Sequence, residues 1–259
     1  MFGMTLFVFI TLALRGNANY VFVTRYLSSE GLLRFVESLG LTATAADLLN
    51  PSMGLRALGL FGMVVKPGAS PSVVGFSVLS MMGTFVTIVG VLLAKPLADR
   101  FGKKAVFTVG LAGAAVFQSL HMFVAPEDVS MVVIITILTS FSYGPTIPLL
   151  WAMIADTADY SEWKNNRRST GFVFAGVVFA LKAGLGFGGA IAGGLLSMYG
   201  YTAATANDPA VLEGVRTMVG LHSGGCFFIG VIFMLFYPIT RDVATKMSDE
   251  LAARRVAAG

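Results

Sequence analysis

The sequence predicts an all-α membrane protein of six transmembrane helices, and three observations predict it. Hydrophobic residues make up 56% of the 259-residue chain and charged residues 12%, about half the charged share of a soluble domain. Mean hydropathy is +0.78. Six apolar runs each reach the roughly 20 residues a helix needs to cross a bilayer core. They cover about residues 3–27, 72–94, 105–125, 129–152, 169–198 and 214–239.

Composition also excludes function classes. Net charge is only +4, and the basic residues lie between apolar runs rather than in one patch, so no nucleic-acid partner is expected. The single cysteine, Cys226, leaves no intrachain disulfide and no Cys-based metal site. His121 and His222 are far apart in sequence and read as ordinary polar side chains. There is no GxxxxGK[ST] loop, so ATP is not implied. No nucleophile–base set or metal cluster is visible, so the chain is not expected to be an enzyme. No basic n-region precedes the first apolar run, and Arg15 interrupts it; it reads as a real span, not a cleaved signal.

The connection 28–70 separates the first two spans. Its segment SSEGLLRFVESLGL places Leu32, Leu33, Phe35, Val36 and Leu39 at helical spacing, which predicts a short amphipathic helix. The run GLRALGLFGMVV, 12 residues long, is too short to span and is expected to be interfacial, a cap over a pathway or a plain loop. In the fourth run, Pro145 and Pro148 beside Gly144 predict a kinked or broken helix. In the fifth, Gly184, Gly188, Gly189, Gly193 and Gly194 form overlapping small-xxx-small patterns, which predict tight helix contact. Trp151 reads as an interfacial anchor. The expected organisation is a six-helix bundle over 1–240, with 28–70 as an extracytoplasmic insertion, and a short polar cytoplasmic tail over 241–259.

Orientation follows from the basic residues. One set of loops holds eleven: Lys95, Arg100, Lys103, Lys104, Lys164, Arg167, Arg168, Arg241, Lys246, Arg254 and Arg255. The other holds four: Arg34, Arg56, Lys66 and Arg216. The positive-inside rule puts both termini in the cytoplasm of an inner, multi-pass membrane protein.

Two cations fall deep inside the spans. Arg15 and Lys182 lie about 12 and 13 residues into theirs, roughly 18–20 Å from the membrane surface. Such a charge costs at least ~2.5–3.5 kcal/mol and normally pairs or lines a wet cavity. All 14 acidic residues sit in loops, in the tail or at helix ends. An anionic substrate, a second subunit or another half of the same protein could supply the partner. Asp156 and Asp159, spaced i and i+3, share a face if the fourth helix continues past Trp151. They read as a solvated helix end or as an inner gate closed by ion pairs with Arg167, Arg168 or another bundle.

Three regions carry a resemblance. LADRFGKK (97–104) resembles a short interhelical loop of major facilitator carriers, with Asp99, Arg100, Gly102, Lys103 and Lys104 matching and Lys95 in place of the usual leading glycine. IADTADYSEWKNNRRSTGF followed by VVFALKAGLGFGGA resembles the helix-10/11 region of the glycoside–pentoside–hexuronide:cation symporters. ALRGNANYVFVTRYL (13–27) is similar to that family's seventh helix. The resemblance implies the C-terminal six-helix half of a twelve-helix carrier, itself a 3+3 inverted repeat. It puts Arg15, Asn19, Tyr20 and Lys182 on the substrate pathway. Asp156, Asp159, Tyr160 and Arg168 fall at the cytoplasmic gate.

The expected function is half of a secondary transporter coupling sugar or glycoside uptake to Na⁺ or H⁺ by alternating access. The expected partners are a sugar or glycoside substrate, the coupling cation, the lipid bilayer and a missing N-terminal six-helix half or second subunit. No tightly bound cofactor is expected, and the cation site falls mostly outside this chain. Two alternatives remain: a half-size carrier acting as a dimer, and a transport-inactive truncated or scaffolding membrane protein.

Overall fold

The computed structural model describes residues 1–44, 47, 52–167 and 169–258. Among them, six helices are long and apolar enough to cross a membrane: Phe2–Tyr26, Pro71–Phe101, Lys103–Phe123, Val129–Asn165, Thr170–Met198 and Pro209–Leu235. They are called spans one to six. The only β feature among the described residues is an isolated bridge between Thr42 and Val65.

Span one is the hub, packing along spans five and six. Small residues allow the first contact. Val177, Ala180, Gly184, Gly188 and Ala192 are the buried positions of span five. Ala180 to Ala192 recur every fourth residue, which lines them up on one helix face. A Cβ on Gly184 would stand 2.6 Å from the Leu6 carbonyl, and one on Gly188 2.6 Å from that of Ile10. Gly186, Gly189 and Gly193 point elsewhere, with nothing within 4 Å of such an atom. The overlapping glycine patterns thus split into a packing face and an open face.

Two apolar clusters fill the bundle. One gathers Met4, Phe107, Leu111, Met153 and Phe227 toward one end. The other gathers Phe22, Leu32, Val124, Val129 and Met218 toward the opposite end. There the last turn of span one, Phe22–Tyr26, is π-helical. The Tyr26 hydroxyl donates to the Val124 carbonyl at 2.7 Å, and Arg216 donates to Tyr26 at 3.2 Å. Spans one, three and six are pinned together at this point.

The amphipathic helix of the connection is Ser29–Ser38, with the Ser28 side chain accepting from the Gly31 N–H as its N-cap. Leu32 and Val36 are its buried residues, and Leu32 lies against Gly75 of span two. The later run forms the helix Met53–Leu60. Met53 and Leu60 are exposed.

One boundary differs from the sequence reading, and the tail carries secondary structure that reading did not describe. Span four continues to Asn165, well past the last apolar residues, because no breaker intervenes before Asn166, which adopts the left-handed conformation at φ 51°. The tail is not merely a polar extension: it forms the 18-residue helix Arg241–Ala258. Val243, Met247 and Leu251 recur every fourth residue on it, and Met247 and Leu251 are buried.

Candidate functional site

Span four breaks where its prolines predict. Its first part ends at Tyr143, Gly144 follows, and Pro145 caps the second part, Thr146–Asn165. Pro145 has no N–H to return to the Phe141 carbonyl. The Thr146 hydroxyl donates instead to the Tyr143 carbonyl at 2.6 Å. Span two crosses at this break. A Cβ on Gly144 would stand 2.6 Å from the Thr87 carbonyl and 2.8 Å from the Gly90 Cα. Both obstacles are backbone, so no rotamer change relieves them. Gly144→Ala should therefore destabilise the protein by about 1–3 kcal/mol, read as a lower thermal-unfolding midpoint in detergent; an unchanged midpoint would show that the helices part freely.

Beside the break lies a cavity of about 410 Å³ between spans one to four. Arg15 and Asn19 line it from span one, Thr84 and Thr87 from span two, His121 from span three, Ser140 and Tyr143 from span four. Among its described lining residues, Arg15 alone carries a fixed charge, and none is acidic. The Arg15 guanidinium has no hydrogen-bond or ion-pair partner among the described residues. His121 is buried, with its Nδ1 2.9 Å from the Gln118 carbonyl. Sequence reasoning treated His121 as ordinary and did not single out Tyr143 as a lining residue. Only their position at a helix end and beside the broken turn could have marked them.

The pathway residues expected from sequence separate. Arg15 and Asn19 face the cavity. Tyr20 does not line it; half-exposed, it packs edge-on against Phe76 with ring centroids 5.2 Å apart. Lys182 does not line it either. It is exposed on span five, on the face of Gly186, Gly189 and Gly193, without a partner among the described residues.

Away from this cavity, Asp156, Asp159 and Tyr160 all lie on Thr146–Asn165. Arg168 lies outside the described residues. Asp156 finds its partner not across the nearby turn but 53 positions back: Lys103 Nζ stands 2.7 Å from both carboxylate oxygens. Its side chain is 16% exposed and that of Lys103 41%. The loop motif and the acidic face thus belong to one assembly. Gly102 turns the chain at φ 85°, a conformation that favours glycine. Arg241 packs against it and donates to the Arg100 carbonyl at 2.9 Å. Lys104 donates to the Tyr237 carbonyl, closing the end of span six. Asp99 lines a small cavity with Asp156 and Arg241. Burial raises the Tyr237 phenol above its ordinary range, so it stays protonated and donates to the Met153 carbonyl at 3.2 Å. The tail helix completes the end: Trp163 Nε1 donates to Glu250 at 2.6 Å, and Arg254 donates to Asn166 at 2.9 Å. Among the described residues, no group of three or more His, Cys, Asp or Glu converges as a metal site.

A model of the MFS/sugar transport proteins matches residues 69–241. The chain belongs to this family. It is a family of transporters and not of enzymes, and the six-helix fold corresponds to one half of the major facilitator fold. Similar proteins include the inner membrane symporter YicJ of Escherichia coli, 34% identical over 64% of this chain and 36% of the relative. Another is the glucuronide carrier protein homolog of Escherichia coli, 28% identical over 70% of this chain and 40% of the relative. The chain thus spans well under half the length of these relatives. The family match includes the break at Gly144, the Lys103–Asp156 pair and Lys182, and begins beyond Arg15 and Asn19. The resemblance of the sequence to the glycoside–pentoside–hexuronide:cation symporters is thereby shown.

Proposed function

We propose that this chain is one six-helix bundle of a secondary carrier in the inner membrane, which couples sugar or glycoside movement to Na⁺ or H⁺ by alternating access. The bundle works opposite a second six-helix bundle, from the same polypeptide or from a partner, and both ends of the chain lie in the cytoplasm. One observation carries the reading. Lys182 stands exposed at mid-span depth, on a face of open glycines that no described residue covers. Left in hydrocarbon, that ammonium costs at least ~2.5–3.5 kcal/mol. Turned toward an opposing bundle across a wet pathway, it has both water and room for a counter-charge.

On this reading Arg15, Asn19 and Lys182 face the pathway, and Tyr20 stands at its outer part. Asp159, Tyr160 and Arg168 meet the opposing bundle at the inner mouth, with Asp156 holding their helix in place. The acids that bind the coupling cation belong mainly to the opposing bundle.

The test is uptake of a radiolabelled glycoside into proteoliposomes holding the native assembly, under an imposed Na⁺ or H⁺ gradient. Lys182→Ala should lower initial uptake at least about tenfold, the order expected for losing one charged interaction, with membrane insertion intact. Unchanged kinetics would remove Lys182 from the pathway. Gradient-driven accumulation by this chain as an isolated monomer would overturn the need for an opposing bundle.

A further inference from the structure

Span three packs on spans two, four and six and makes no substantial contact with span five, whose open face carries Lys182. Its own outer surface is not closed. Gly110 and Gly113 bring it onto the broken span four: a Cβ on Gly110 would stand 2.7 Å from the Ser142 carbonyl, and one on Gly113 3.0 Å from the Ser142 hydroxyl. Around this close approach the side chains leave a groove of about 590 Å³, lined by Leu97 and Phe101 of span two, Val109 and Phe117 of span three and Phe141 of span four. Phe101, Val109 and Phe141 are exposed. Ser142 is the only polar side chain among the described lining residues.

The shape of the groove limits what fits. From Ala105 to Phe117 span three rises roughly 18 Å, close to the ~15 Å depth of one leaflet of the hydrocarbon core. Spread over that length, the volume gives a cross-section of roughly 30 Å², against about 80 Å² for a helix 10 Å across. A single hydrocarbon chain fits, and a helix of another bundle does not. The end at Phe101 is charged. The Arg100 guanidinium carbon stands 5.2 Å from the centre of the Phe101 ring. That guanidinium has no hydrogen-bond or ion-pair partner among the described residues. Asp99, next to it in sequence, lines the small cavity with Asp156 and not the groove. Residues 95–104 carry four bases, Lys95, Arg100, Lys103 and Lys104, against the one acid Asp99. Asp156 offsets only Lys103.

We propose that this groove is a binding site for an anionic glycerophospholipid of the leaflet on this side, with one acyl chain between spans two, three and four and its phosphate on Arg100. A guanidinium meets phosphate oxygens through paired N–H donors. The positive charge left at the mouth favours an anionic headgroup over a zwitterionic one, which would bring its own ammonium to the same place. The lipid seats on the side of the bundle away from Lys182, so it holds spans two, three and four together beside the break without entering the pathway.

The experiment is native mass spectrometry of the native assembly, purified through a tag on this chain, with phosphatidylglycerol and phosphatidylethanolamine of equal chain length supplied as competitors. Phosphatidylglycerol should be retained about tenfold over phosphatidylethanolamine, the order of one charge-assisted hydrogen bond. Arg100→Gln should remove that preference. Val109→Trp, which fills the groove from an exposed position, should lower retention of both lipids. Neither side chain supports the fold, so the unfolding midpoints of both variants in detergent should match the unsubstituted protein. Glycerol 1-phosphate, a headgroup without chains, should displace neither lipid. Equal retention of the two lipids by the unsubstituted protein, or a preference that survives Arg100→Gln, overturns the assignment of the phosphate to Arg100. Unchanged retention by Val109→Trp, or displacement by glycerol 1-phosphate, overturns the groove as the seat of the chain.

Discussion

Gly188→Leu is expected to unfold the bundle, while Gly189→Leu, one residue away, leaves it intact. A Cβ on Gly188 would meet the Ile10 carbonyl at 2.6 Å and the Ala13 Cβ at 2.7 Å, whereas one on Gly189 meets nothing within 4 Å. The first substitution must push spans one and five apart along the most extensive helix contact in the molecule. Overpacking costs typically about 1–3 kcal/mol and more where backbone has to move. In a membrane the loss is felt directly, because close van der Waals packing is itself the main force between spans. Size-exclusion profiles and thermal midpoints in detergent should show aggregated or much less stable protein for Gly188→Leu and near-native behaviour for Gly189→Leu. On the carrier reading, Gly189→Leu should impair transport instead, since it fills the face beside Lys182. Equal stability of the two variants would refute the division of span five into a packing face and an open face.

The second large effect is expected at Lys103 and Asp156. Removing either partner, as in Lys103→Ala or Asp156→Ala, should destabilise the protein by about 1–2 kcal/mol. That lies between an exposed ion pair, worth about 0–1 kcal/mol, and a buried pair broken on one side, about 3–5 kcal/mol. The intermediate value follows from the 16% exposure of the Asp156 side chain and the 41% of Lys103. The charge-swapped double variant Lys103→Asp/Asp156→Lys should regain part of the loss. A double variant as unstable as the sum of the single ones would show that the contact is incidental. The pair joins the start of span three to the second part of span four, so on the carrier reading its loss should appear as instability before any change in the inward and outward balance.

These two cases show what the sequence carries and where it stops. Span positions are legible because about 20 consecutive apolar residues have few other uses. The break in span four is legible because Pro145 lacks a donor wherever it sits. The glycines of span five are legible as packing residues, but their direction is not. Gly188 and Gly189 are equivalent in composition, and only the position of span one separates them. The partner of Asp156 is invisible for the same reason: Arg167 is near in sequence, but Lys103 is near in space. Arg15 and Lys182 read alike as buried cations, yet one faces a cavity inside the bundle and the other an open face. The tail helix was hidden by its charged residues, although Val243, Met247 and Leu251 already mark its buried stripe.

That tail helix has a mechanical consequence. It is bonded to the Arg100 carbonyl in the last turn of span two, to Trp163 in the last turn of span four and to Asn166 just after that span. Lys103 and Asp156 tie the same two regions a second time. Four segments distant along the chain are therefore cross-braced into one plate at this end of the bundle. A plate does not flex helix by helix; it tilts as a unit. On the carrier reading, a motion that opens this end is expected to fall at its boundary with the opposing bundle, with the distances across these contacts nearly unchanged.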